Sequence, residues 1–317
     1  MQKCPKCSYE QADDNLTCSL CGTLLRREQE ELPEDFRPPR SSTEDIDDKF
    51  PWRTLRVSAA IAAPVFLGSF AMGPDMGMSA FLIALPSMVF RYFAVLVHEM
   101  GHAVFAWILG FPAIPAFDFS YGGGVTVWEE RKALLVIFVY ALLIAATVVY
   151  SVSRNLRGAA LFAVTLALYA LVAHNFMTDV IVLLMGHGFE LVIAGVFLYR
   201  MLSAEAIIVP AERPLYGAIG LFMVADLARF SLTLIFSSEA RMMYGEAKGG
   251  GHWMDFDRIG GEYLGIPLEA VAALFVVLVA ATPVLAFLAY RFRREWKGFL
   301  GEALYIDLEF FGLRRAG

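Results

Sequence analysis

The sequence predicts an all-α polytopic membrane protein of about six to seven apolar helices, and three observations point there. Hydrophobic residues make up 58% of the 317 positions and charged residues only 18%, where a soluble chain sits near half and a quarter. Mean hydropathy is +0.57. Seven apolar runs, at roughly 57–73, 79–110, 133–152, 158–185, 188–209, 215–237 and 266–290, each come near the ~20 residues that cross a bilayer. The second run is too long for one span, and Pro86 is expected to divide it, leaving a helix from about Ser87 to Gly110.

Ahead of the apolar runs lie all four cysteines: Cys4, Cys7, Cys18 and Cys21. Two CxxC pairs set two thiolates on each of two tight turns, which suits a tetrahedral zinc site better than disulfides. Residues 1–24 therefore read as a small zinc ribbon, folded by its metal because it is too short for an apolar core. Residues 25–52 are an acidic flexible linker rich in Glu, Asp, Pro and Ser. The net charge of −6 is largely local to Glu28–Asp48, and no Lys/Arg tract suggests nucleic-acid binding. No signal peptide opens the chain, so the N-terminus is expected in the cytoplasm, where the ribbon could bind a protein partner.

The transmembrane part spans 53–297. Arg53 and Arg56 flank its first run, and Arg291, Arg293, Arg294 and Lys297 follow its last. Both clusters favour the cytoplasmic face, which requires an even number of crossings. Seven runs are odd, so one of them, 158–185 or part of 79–110, is re-entrant or split. Phe117, Phe119 and Tyr121 alternate with polar residues, Gly122–Gly124 follow, and Val125 and Val127 alternate again. Period-2 patterning around glycines predicts a β-hairpin over 117–128. The 238–264 stretch reads as a polar extramembrane loop. The tail, 298–317, carries a short strand at 304–310.

The chemistry sits in His98-Glu99-Met100-Gly101-His102. Residues four apart share a helix face, so both imidazoles can grip one divalent ion while Glu99 serves as general acid/base toward a bound water. Three ionisable groups within five positions of an apolar helix are costly in a bilayer and point to function. Asp226 and Arg229, three apart, predict a structural ion pair.

The HEMGH motif in a transmembrane helix, the glycine-rich hairpin after it and the further spans resemble the site-2 protease-like intramembrane metalloproteases, over roughly residues 87–210. The resemblance implies a membrane-embedded zinc peptidase acting on membrane protein or peptide substrates, with His98 and His102 as ligands and Glu99 as catalytic acid/base. The chain departs from that family at the third ligand, for it has no Asn-Pro stretch before a later Asp-Gly. Three candidates stand: His187, in Gly186-His187-Gly188 at the start of an apolar run; Asp179, which keeps the family's residue type; and Glu190, as a ligand or as a partner of one. Asn175 is a candidate oxyanion donor. The expected complement is two zinc ions, one catalytic and one structural. The alternative reading is a membrane protein that keeps the metal without turnover and acts as a regulatory or interaction module through the ribbon.

Overall fold

The computed structural model describes residues 2–3, 10–11, 50–71, 77–118, 123–245 and 254–305. The chain divides into two compact units, Met1–Phe50 and Pro51–Gly317. In the first, strands β1 (Gln2–Lys3) and β2 (Glu10–Gln11) pair antiparallel. Cys4, Cys7, Cys18 and Cys21 lie outside the described residues, as does most of the ribbon and of the linker.

Among the described residues of the second unit seven helices are long and apolar enough to cross a membrane, which makes the chain an integral membrane protein. They are α1 (Trp52–Gly68, prolonged by a 3-10 turn to Ala71), α2 (Met78–Ile108), α3 (Ala133–Val152), α4 (Leu156–Ala173), α5 (Met177–Ser203), α6 (Glu212–Phe236) and, after three shorter pieces, the helix Leu268–Arg291. Large apolar side chains cover their outer faces, as on α3, where Leu134, Ile137 and Phe138 are exposed. Between α2 and α3 stand β3 (Ala113–Asp118) and β4 (Gly123–Trp128), paired antiparallel from Ala113↔Trp128 to Asp118↔Gly123. The hairpin thus begins four residues earlier than the alternation suggested.

Two helix boundaries differ from expectation. Pro86 does not divide the second run: α2 continues through it for 31 residues, about 46 Å at ~1.5 Å per residue. Nor does a helix begin at the Gly186-His187-Gly188 triplet. The break falls earlier, at His174–Phe176, where the Asn175 side chain donates to Leu171 O at 2.6 Å and accepts from Met177 N at 2.8 Å. Asn175 therefore closes the turn between α4 and α5. Glycine in α5 serves close approach instead. A Cβ on Gly186 would collide with both the His98 and His102 rings, and one on Gly101 would strike the Met185 carbonyl. Small residues let two membrane helices touch backbone to backbone, and here they seat α2 against α5.

The polar 238–264 stretch is structured in its described parts. It contains α7 (Ser238–Gly245), α8 (Asp255–Arg258) and a π-helical turn, Ile259–Leu264. Phe256 and Ile259 are fully buried with Leu183, Leu227 and Phe275, so α8 is anchored among α5, α6 and α9 (Leu268–Arg291). The last helix, α10 (Arg293–Ala303), carries basic residues, and the strand proposed at 304–310 falls almost wholly outside the described residues.

Contacts locate the ends. Asn155, between α3 and α4, donates to Glu302 O at 2.8 Å, and Lys297 pairs with Glu205, between α5 and α6. Ser58 of α1 donates to Pro214 O at 3.0 Å. The start of α1 and the end of α9 therefore share one end of the bundle, although seven long helices separate them. α2 accounts for the parity. Its Ser87 donates to Val65 O of α1, whereas its Phe93 stacks on Phe197 and its His98 reaches Glu190, both on α5. The first half of α2 runs against α1 and its second half against α5, and α1 and α5 themselves run in opposite directions, so α2 is not a simple crossing.

Candidate metal centre

Gly186 is the floor on which the histidine pair rests. With no side chain there, the His98 and His102 rings lie against α5 with centroids 4.6 Å apart. Each ring has one nitrogen tied to α5. His102 Nδ1 is 2.8 Å from Val182 O, and His98 Nδ1 is 2.9 Å from Glu190 Oε1. An Nδ1–H that donates leaves Nε2 with a free lone pair, which fixes the tautomer a metal requires.

Those two Nε2 atoms are 3.0 Å apart, and Asp255 Oδ2 sits 3.1 Å from one and 3.2 Å from the other. Donors on a tetrahedron with bonds of ~2.0–2.1 Å are about 3.3 Å apart, so the three atoms fit one divalent ion and leave a fourth corner open. Two nitrogens and one carboxylate form the donor set of an open zinc site.

His187 and Asp179, the candidates for the third ligand, do not complete this set. His187 Nδ1 lies 2.9 Å from the same Glu190 oxygen that serves His98. Its ring stands 4.3 Å from that of His98, against Phe230 and Phe256 at 4.9 and 5.1 Å. His98, His187 and Glu190 could themselves hold an ion. In that arrangement His98 would bind through Nδ1 and leave both His102 and Asp255 out, so the set with Asp255 is the better closed. Glu190, 6% exposed, then orients two imidazoles at once. Asp179, two turns before His187 on α5, lines a separate small cavity with Trp128 and Arg258. Asn175 is committed to the α4–α5 turn and takes no part in the site. His174, beside it, meets Tyr140 Oη at 2.9 Å.

Glu99 is 7% exposed beneath β4. Thr126 Oγ1 lies 2.6 Å from Glu99 Oε2, to which it donates, and a side chain at position 124 would collide with the Glu99 stem, which is why glycine stands there. The hairpin thus covers Glu99 and aims its carboxylate. A cavity of about 970 Å³ opens on these groups. It reaches from the histidines past Arg91 and the Asp226–Arg229 pair, whose contact of 2.6 Å is the ion pair that the spacing suggested.

Three contributors are not legible locally. Asp255 is one of five acids in 238–264, and an acid in the first turn of a helix is ordinary. Thr126 and Gly124 look like any strand and turn residues. The one available signal for Asp255 was a shortage: two histidines and a base lacked a third donor, and this stretch held uncommitted carboxylates. No protein-family model, no curated protein and no solved structure matches the chain, so the functional reading rests on this geometry.

Proposed function

We propose that the protein is an intramembrane zinc metallopeptidase that hydrolyses peptide bonds of membrane-associated substrates. One observation carries the reading: two imidazole nitrogens and a carboxylate oxygen converge within 3.2 Å of one another, with a hydrogen-bonded glutamate one residue from the first histidine. A divalent ion held there would acidify a bound water and polarise a carbonyl. His98, His102 and Asp255 would hold the ion, with Glu190 keeping His98 in its binding tautomer. Glu99 accepts the proton as water adds to the scissile carbonyl carbon, then delivers it to the leaving nitrogen as the C–N bond breaks. Thr126, donating to Oε2, holds that carboxylate in line. A two-stranded sheet has free edges, and an extended peptide beside β4 can satisfy its unwound backbone there by strand addition. The cysteine pairs would take a second, structural zinc, and the ribbon would serve as a cytoplasmic docking module.

The test is Glu99→Gln in the purified full-length protein. It retains metal at the wild-type stoichiometry and loses cleavage of a membrane substrate by ~10²-fold or more, the lower range of a general base's contribution. Undiminished turnover in Glu99→Gln would falsify the mechanism. Metal binding without turnover in the wild type would favour the regulatory reading.

A further inference from the structure

Hydrolysis by this site would place negative charge on the scissile carbonyl oxygen, and a donor aimed at that oxygen would contribute beyond the metal. The described donors around the cavity are mostly committed. His187 Nδ1 is held by Glu190, Arg229 Nη2 by Asp226 and Arg258 Nε by Glu262, while Arg229 Nε has no partner among the described residues but lies on a guanidinium already anchored by that ion pair. Arg91 sits two turns before His98, about 10 Å along the helix. Tyr244 of α7 is different. Its ring lines the same cavity and packs edge-on against Phe230 at 5.6 Å, the phenylalanine that also touches His187. Its phenolic oxygen lies 3.3 Å from the backbone nitrogen of Phe256, from which it accepts. That nitrogen belongs to the residue next to Asp255, so the phenol stands within about one residue's length, ~3.8 Å, of the carboxylate-bearing backbone. Tyr244 Oη has a lone pair engaged by Phe256, while no acceptor for its proton occurs among the described residues. A phenol is protonated at neutral pH and has that proton to give.

Resting on the metallopeptidase reading, we infer that Tyr244 is a further catalytic residue, donating its phenolic O–H to the oxyanion that forms at the scissile carbonyl. Phe230 fixes the ring and the Phe256 N–H fixes the oxygen, leaving the O–H free to turn into the cavity.

Acetohydroxamate, whose two oxygens bind a metal and imitate that charged oxygen, is the probe, with zinc-loaded full-length protein in detergent. Zinc affinity and acetohydroxamate affinity are measured separately by calorimetry. Tyr244→Phe is expected to leave zinc affinity within about twofold and to weaken acetohydroxamate by roughly tenfold or more, the value of one hydrogen bond to a charged acceptor. Equal hydroxamate binding in wild type and variant overturns the inference and leaves the peptidase reading standing. A fall in zinc affinity with unchanged hydroxamate binding per loaded site also overturns it, because the phenol then only steadies Asp255. Where Tyr244→Phe misfolds, Tyr244→His, which keeps a ring N–H, is compared with Tyr244→Leu. Retention within a few-fold in the first and loss in the second supports donation, and equal binding in both overturns it. A wild type that binds no zinc outside the cysteines removes the peptidase reading itself.

Discussion

Asp255 is the residue on which the geometry turns. Histidines one helical turn apart supply two donors, but an open zinc site needs a third. That donor comes from a short helix outside the long apolar ones, held down by Phe256 and Ile259. Asp255→Asn is expected to weaken the intramembrane zinc by at least about 100-fold, above the ~10–100-fold that follows loss of a ligand's hydrogen-bond partner. Asp179→Ala should leave zinc affinity within a few-fold, since Asp179 lies in a different cavity. Competition with a chelator in the purified variants measures both, and equal losses would refute the assignment of Asp255. HEMGH was legible because its chemistry and its spacing are local. Asp255 was not, because 153 positions separate it from His102 and only packing brings them together.

Among the elements, α5 shows how one sequence feature can be read two ways. Glycines flanking a histidine suggested a helix start. The structure keeps the helix and uses Gly186 as the seat of the His98 and His102 rings. Gly186→Ala should therefore displace both rings, lowering zinc affinity and costing about 1–3 kcal/mol, as overpacked cores do. Gly188→Ala would meet only the flexible end of Met185, at 3.1 Å, and should be tolerated. Thermal unfolding in detergent with zinc titration separates the two, and equal behaviour would count against the close-approach account. The hairpin invites a parallel experiment. Proline at Val125 removes a backbone donor from β4. If a substrate strand docks on that sheet, Val125→Pro loses cleavage while zinc binding persists, and full cleavage would exclude strand addition there. The hairpin and β4 were readable from their alternation and the start of β3 was not, whereas the contact of Thr126 and Gly124 with Glu99 belongs to the approach of β4 to α2.

For the whole molecule, the ends of the bundle matter most. The basic residues at the start of α1 and after α9 share one end, as the Ser58–Pro214 and Lys297–Glu205 contacts require. The 238–264 stretch and the approach to α3 sit at the other. If the basic end faces the cytoplasm, the half that holds His98, Glu99 and Asp255 opens toward the opposite compartment. With the four cysteines replaced by serine, Glu130→Cys should react with a membrane-impermeant maleimide from outside intact cells, and Arg154→Cys should not. The reverse pattern would invert the topology.

By itself the sequence determined the membrane character, the seven apolar segments, the hairpin and the pairing of His98 with His102 around Glu99. All of these are set by composition or by periodicity within a few turns. Tertiary structure decided which acid joins the histidines, that Glu190 serves two imidazoles, that Asn175 closes a turn, and that α2 continues unbroken past Pro86. Each of those depends on groups far apart in the chain meeting at hydrogen-bond distance, and such meetings are fixed by how helices pack, which no local pattern encodes.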